Sequence, residues 1–220
     1  MKKGLTELVF ILDKSGSMQG LEADTIGGFN SMIIRQKEEA DEALVSTIFF
    51  NNASSVVHDR ESIDKIRLLE KQDYMVGGST ALIDAVGGAI HHIKNVHKYI
   101  REEDCPEKVM FVIMTDGMEN ASHYYKLSQV KKEIKHLKKK RNWEFLFLGA
   151  NIDAVETADG FGISKETAVE FKCDSAGTQL NYEVLSDTVA SFRAQPLKKA
   201  HLNSSWKERI EDDYKNRKFL

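Results

Sequence analysis

Prolines are scarce: two in 220 residues, so little marks a linker, and 41% hydrophobic residues are enough to fill one large core. Those features argue for one large domain and against a second full one. Cysteine is equally sparse. Cys105 and Cys173 stand far apart and neither belongs to a CxxC pair, which removes the common zinc and redox motifs. Two free thiols is the simple reading, although spacing alone does not decide whether they pair. No apolar run approaches the roughly 20 residues that cross a bilayer, so no membrane partner is expected. The opening MKKGLTELVFILD has two lysines and a short apolar run, but it ends in an aspartate without a small-residue cleavage site. It reads as a first strand, and with the free thiols it sets a cytoplasmic expectation. The sequons at Asn52, Asn120 and Asn203 then carry no meaning. There is no excess of either charge: 31 basic against 34 acidic residues give a formal net charge of -3, and no positive field to recruit nucleic acid.

What the chain does contain is a set of short apolar runs, Leu8 to Leu12, Leu44 to Phe50, Val109 to Met114 and Phe145 to Leu148, mostly without period-2 alternation. Such runs suit strands covered on both faces of a parallel sheet. Between them lie helical stripes: Leu82, Val86, Ile90, Ile93 and Ile100, then Leu127, Val130, Ile134 and Leu137. A thinner stripe, Leu21, Ile26, Phe29 and Ile33, is interrupted by Gly27 and Gly28, which weaken a helix unless close packing requires them. Asn51 and Asn52 supply turn chemistry before Ser55 to His58, predicting a short antiparallel edge strand, and Val169 to Cys173 predicts a last strand. The alternation predicts an α/β fold, a doubly wound, mostly parallel sheet with helices on both faces. Ligands then bind beyond the carboxyl ends of the strands, near the topological switch point. Residues 1–193 make up this domain. Past Pro196 the chain turns polar, with Trp206, Ile210, Tyr214 and Phe219 its main apolar residues, so 194–220 is either a docked helix or a loose tail.

The first strand ends in Asp13-Lys14-Ser15-Gly16-Ser17, which puts a carboxylate and two hydroxyls at every second residue of a tight loop. The Val109 strand ends in Thr115-Asp116-Gly117, a second carboxylate at a neighbouring strand end. Gly77-Gly78-Ser79-Thr80 leads into a helix and adds a third hydroxyl. In this order the pieces resemble the metal-ion-dependent adhesion site of von Willebrand factor A-type and integrin inserted domains, DxSxS followed by a distant Thr and Asp. The resemblance covers roughly residues 5 to 193 and includes single-domain intracellular members from bacteria and phages. It implies that Ser15, Ser17 and Thr80 are direct ligands of a divalent ion, with Asp13 and Asp116 bound through water or directly.

The chemistry supports the same ion. Mg²⁺ wants six oxygens in near-octahedral geometry, keeps several waters and is usually held by one or two carboxylates. Three hydroxyls and two carboxylates suit it, with Mn²⁺ or Ca²⁺ as substitutes. Neutral hydroxyls leave the ion electrophilic, with a position for an outside acidic group. Each piece alone has a plainer explanation: Asp13, Ser15 and Ser17 as a strand-to-helix turn, Thr80 as a helix cap, Asp116 as turn chemistry before glycine. Capping does not require all three loops together.

Other candidates are weaker. His91, His92 and His97 lie on a predicted helix without a HExxH motif and read as surface histidines. Lys131 to Arg141 carries seven basic residues and one Glu, and reads as a solvated helix face. Asn151, Asp153 and Asp159 follow a strand and so fall near the ligand edge or cap a helix. Gly160 and Gly162 are a fragment of a dinucleotide fingerprint, and GxxxxGK[ST] is absent.

The leading expectation is therefore a non-catalytic, Mg²⁺-dependent module that binds a protein partner through the partner's Glu or Asp. The alternative is a Mg²⁺-dependent hydrolase such as a phosphatase, with Asp13 as nucleophile. Haloacid dehalogenase-type enzymes ordinarily show DxD there, whereas Ser15 stands at the second position. By analogy with intracellular members of the family, work beside an ATPase or within a larger assembly is a third expectation.

Overall fold

The computed structural model describes residues 1–197 and 200–217. Six strands, β1 (Lys2–Asp13), β2 (Ala43–Phe50), β3 (Ser54–Ser62), β4 (Pro106–Thr115), β5 (Glu144–Ala150) and β6 (Ala168–Phe171), form one sheet in the order β3-β2-β1-β4-β5-β6. All neighbours are parallel except β2 and β3, whose antiparallel register shifts twice. The mostly parallel, doubly wound α/β sheet expected from the sequence is the one observed.

The unalternating apolar runs have a direct cause. Leu8, Phe10 and Leu12 of β1 face one core with Phe29, Met32 and Ile33 of α1 (Glu22–Gln36) and Leu185, Val189 and Phe192 of α5 (Ser175–Ala194). Val9 and Ile11 face a second core with Val86, Ile90 and Ile93 of α2 (Leu82–Tyr99) and Ile134 and Leu137 of α3 (Leu127–Arg141). Phe161 of α4 (Ala154–Phe161) joins that second layer. Both faces of the central strand are dry, so apolar residues are needed at every position.

The two glycines inside α1 differ. A Cβ on Gly28 would fall 2.3 Å from Cδ2 of Tyr182 on α5, whereas one on Gly27 meets nothing within 4 Å. Close helix contact is the reason for Gly28 alone. Of segment 194–220, residues 204–216 form a 3₁₀ turn and α6 (Glu208–Asn216), with Ile210 buried in the first core. The Trp206 indole donates to Glu166 O at 2.9 Å and Lys207 Nζ to Ala168 O at 2.8 Å, which ties the segment to the start of β6. Phe219 lies outside the described residues. Among the described residues no helix is long and apolar enough to cross a membrane.

His97 corrects the sequence reading. His91 and His92 are exposed, but the His97 side chain is only 6% exposed. Its Nε2 meets Glu7 Oε2 at 2.5 Å, and Glu7 is fully buried on β1 and also receives Arg60 Nε. His97 follows Ile93 by four residues and so shares the inward stripe of α2.

Gly28→Ala is expected to destabilise the fold by about 1–3 kcal/mol through overpacking against Tyr182. Gly27→Ala should be neutral or stabilise by up to ~1 kcal/mol. Urea midpoints of the two variants would separate them; equal effects would contradict the packing argument.

Candidate metal centre

In this strand order the chain leaves β1 toward β2 on one side and reaches β4 on the other, so the loops after β1 and β4 diverge and leave a crevice. Asp13 is the last residue of β1 and Asp116 follows the last residue of β4. Both are buried, as are Ser15 and Thr80, whereas Ser17 is exposed. The cluster is thus reached from solvent at Ser17.

Local bonding shapes the loops. Asp13 Oδ1 accepts the Ser15 N–H at 2.7 Å, folding the chain back into a 3₁₀ turn at Gly16–Met18. The loop before α2 is stitched to it twice: Gly16 N donates to Gly78 O at 3.0 Å and Gly77 N to Lys14 O at 2.9 Å. The turn between β2 and β3 supports both, since Asn51 Nδ2 donates to Gly77 O at 2.7 Å and Ser79 N to Asn52 Oδ1 at 3.0 Å. Gly78 has φ +83°, and a Cβ there would stand 2.0 Å from Asn52 Oδ1, so only glycine fits.

The three hydroxyls converge beside Gly117. A Cβ built there would lie 3.0 Å from Thr80 Oγ1, 3.5 Å from Ser17 Oγ and 3.8 Å from Ser15 Oγ. All three oxygens therefore fall within 4 Å of one point. Ser15 Oγ and Ser17 Oγ are 3.0 Å apart, and Ser17 Oγ donates to Asp116 Oδ1 at 2.6 Å. Asp13 Oδ2 accepts from Thr115 Oγ1 at 2.6 Å, and Tyr74 OH donates to the Asp13 carbonyl. All five residues singled out in the sequence meet in one place. Asn151 comes near, its Nδ2 at 3.5 Å from Asp116 O. Asp153 instead caps α4 through Glu156 N at 2.8 Å, and Asp159 lies beside Lys131.

Burial pushes the Asp13 carboxyl above its ordinary range; hydrogen bonds from Ser15 and Thr115 oppose this and the nearby Asp116 charge adds to it. Among the described residues no cluster of three or more His, Cys, Asp or Glu side chains is arranged to hold an ion. A cation here has to depend on hydroxyls as much as carboxylates, the donor set that hard, oxygen-seeking ions accept.

No family model matches the sequence, and no curated protein does. Solved structures do. The vWF domain of the type V pili tip protein Mfa5 from Porphyromonas gingivalis aligns over 87% of this chain and 97% of its own, at TM-score 0.60 and 10% identity. A von Willebrand factor type A structure from Catenulispora acidiphila aligns over 84% of this chain and 42% of its own, at TM-score 0.54 and 13% identity. The fold is that of a von Willebrand factor A-type domain. Proximal thread matrix protein 1 from the mussel byssus, in a structure described as having a zinc-occupied MIDAS motif, matches at TM-score 0.56 and 16% identity. The alignment covers 85% of this chain and 46% of that one, so this chain spans about half the mussel chain's length.

The fold also places residues at the site that the sequence reading did not single out. Cys173, expected to end the last strand, stands two residues past β6, and its thiol donates to Asp116 Oδ2 at 3.4 Å. Burial and the Asp116 charge push that thiol up to about 12, and both cysteines are free. Asn120 Oδ1 accepts Thr80 N at 2.9 Å, fixing the backbone behind the third hydroxyl. Thr115 had a signal, because it adjoins Asp116; Cys173 and Asn120 had none, because their contacts join loops far apart in the sequence.

With chelator present, Asp13→Asn is expected to melt a few degrees higher than wild type at pH 7. The Asp13 pKa is raised on folding, so the stability of its protonated form is full below the unfolded value of 3.8 and is lost as pH rises through the folded value. The gain should therefore vanish near pH 3. A variant that melts lower by the same margin at both pH values would contradict the desolvation argument.

Proposed function

We propose that this A-type domain is a non-catalytic protein-binding module that holds Mg²⁺, or Mn²⁺ or Ca²⁺ in its place, through Asp13, Ser15, Ser17, Thr80 and Asp116. A Glu or Asp of a protein partner completes the site. The observation that carries this reading is the convergence of three hydroxyl oxygens within 4 Å of one point, beside two carboxylates at the switch of the sheet. The zinc-occupied MIDAS motif named for the mussel protein supports a divalent ion on this fold. When bound, the ion supplies a Lewis-acidic coordination position for a carboxylate.

The chain's own residues do the rest. Thr115 and the Ser15 N–H orient Asp13, Ser17 and Cys173 orient Asp116, and Asn120 holds Thr80 in place. The same contacts weigh against hydrolysis. Each Asp13 oxygen already accepts a hydrogen bond, which lowers its reach as a nucleophile, and the Cys173 thiol stays protonated near neutrality.

Isothermal titration with Mg²⁺ is expected to show binding to wild type that Asp116→Ala and Thr80→Ala lose. Thr115→Val, which keeps every proposed ligand, should weaken it by roughly 10–100-fold, the range for contacts that orient metal ligands. Circular dichroism melts would establish that the variants fold. Unchanged affinity in Asp116→Ala and Thr80→Ala would overturn the proposal.

A further inference from the structure

Single exposed apolar side chains are ordinary on a protein surface; a group of them on rigid loops around one site is not. Tyr124 is 88% exposed, Met118 73% and Met75 66%, and all three stand on the loops that bring the candidate metal centre together. Met118 directly follows Gly117, where the hydroxyls converge. Met75 lies between Tyr74, whose hydroxyl donates to the Asp13 carbonyl, and Gly77, whose N–H donates to Lys14 O.

The loop that carries Met118 and Tyr124 is neither strand nor helix, yet it is thoroughly fixed. Asp84, in the first turn of α2, accepts the N–H groups of His123, Tyr124 and Tyr125 at 2.7, 2.9 and 2.8 Å. Glu119 accepts Ile83 N at 2.7 Å, Ala121 N at 2.9 Å and Ser122 N at 2.8 Å. Two carboxylates thus take six backbone donors and clamp the loop on the helix that follows Thr80. A loop immobilised in this way loses little entropy when it binds, and Met and Tyr are residues enriched at protein interfaces. The Lys14 ammonium, within the first loop, donates to Ser55 Oγ at 3.1 Å and has no ion pair among the described residues. Its charge favours an acidic approach.

We propose that this rim reads the residues on either side of the incoming carboxylate, so that the partner is a protein segment whose Asp or Glu is flanked by large apolar side chains. Lys14 complements the acid, and Met75, Met118 and Tyr124 cover its neighbours. The inference rests on the metal-dependent reading of the same site and adds the chemistry of the partner to it.

The test is selection of random linear peptides displayed on phage against the whole chain in Mg²⁺, with each recovered peptide then synthesised and its affinity measured. The expected peptides carry an Asp or Glu next to Leu, Ile, Phe, Tyr or Trp. They should bind the Met118→Ser/Tyr124→Ser double variant at least tenfold more weakly, while the variant's Mg²⁺ affinity is unchanged. Recovered acids flanked by polar or charged residues, equal affinity for the double variant, or no enrichment at all would overturn the rim and leave the metal reading standing. Binding that persists undiminished in EDTA would overturn the metal reading, and the rim with it.

Discussion

Two carboxylates at the ends of adjacent parallel strands have to share one crevice, and most of the local structure follows from that constraint. Asp13 and Asp116 are each buried, and like charges taken out of water repel strongly. Each is met by donors that carry no charge. Asp13 has the Ser15 N–H and Thr115 hydroxyl, and Asp116 has the Ser17 hydroxyl and Cys173 thiol. Hydrogen bonds moderate the repulsion without cancelling it, and burial still holds the Asp13 pKa up. A divalent cation is the natural counter-charge for such a pair, which is why we propose a metal-bound form.

The supporting architecture belongs to the same problem. Three separate loops must arrive within a few ångströms of one another, and each is fixed by backbone bonds to another: Gly16 to Gly78, Gly77 to Lys14, and Asn120 to Thr80. Close approach of that kind selects Gly78, whose backbone is left-handed and whose missing Cβ makes room for Asn52. Placement at the switch point of the sheet sets Asp13 at the end of β1 and Asp116 directly after β4, so the two carboxylates stand on rigid strands.

Much of this was legible in the sequence, for physical reasons. Runs such as Leu8 to Leu12 read as buried strands because both faces are dry, and the spacing Asp13, Ser15, Ser17 reads as a site because alternate residues of a tight loop can face one point. Contacts between segments far apart in the sequence were not legible. Cys173 reaches Asp116 from beyond β6, and Glu119 and Asp84 clamp a loop through backbone donors that any sequence carries. His97 was a different kind of miss. Its position four residues after Ile93 places it on the inward stripe of α2, but polarity argued for the surface, and only the buried Glu7 explains its place. The likeness to solved A-type domains, at 10–16% identity, extends the fold and not the partner.

The most direct measurement is an anomalous-difference map from crystals of the whole chain soaked in Mn²⁺. The account predicts one strong peak in coordination distance of Ser15 Oγ, Ser17 Oγ and Thr80 Oγ1, beside Asp13 and Asp116. A peak seated elsewhere, or none at a concentration that saturates other Mn²⁺ proteins, would contradict it.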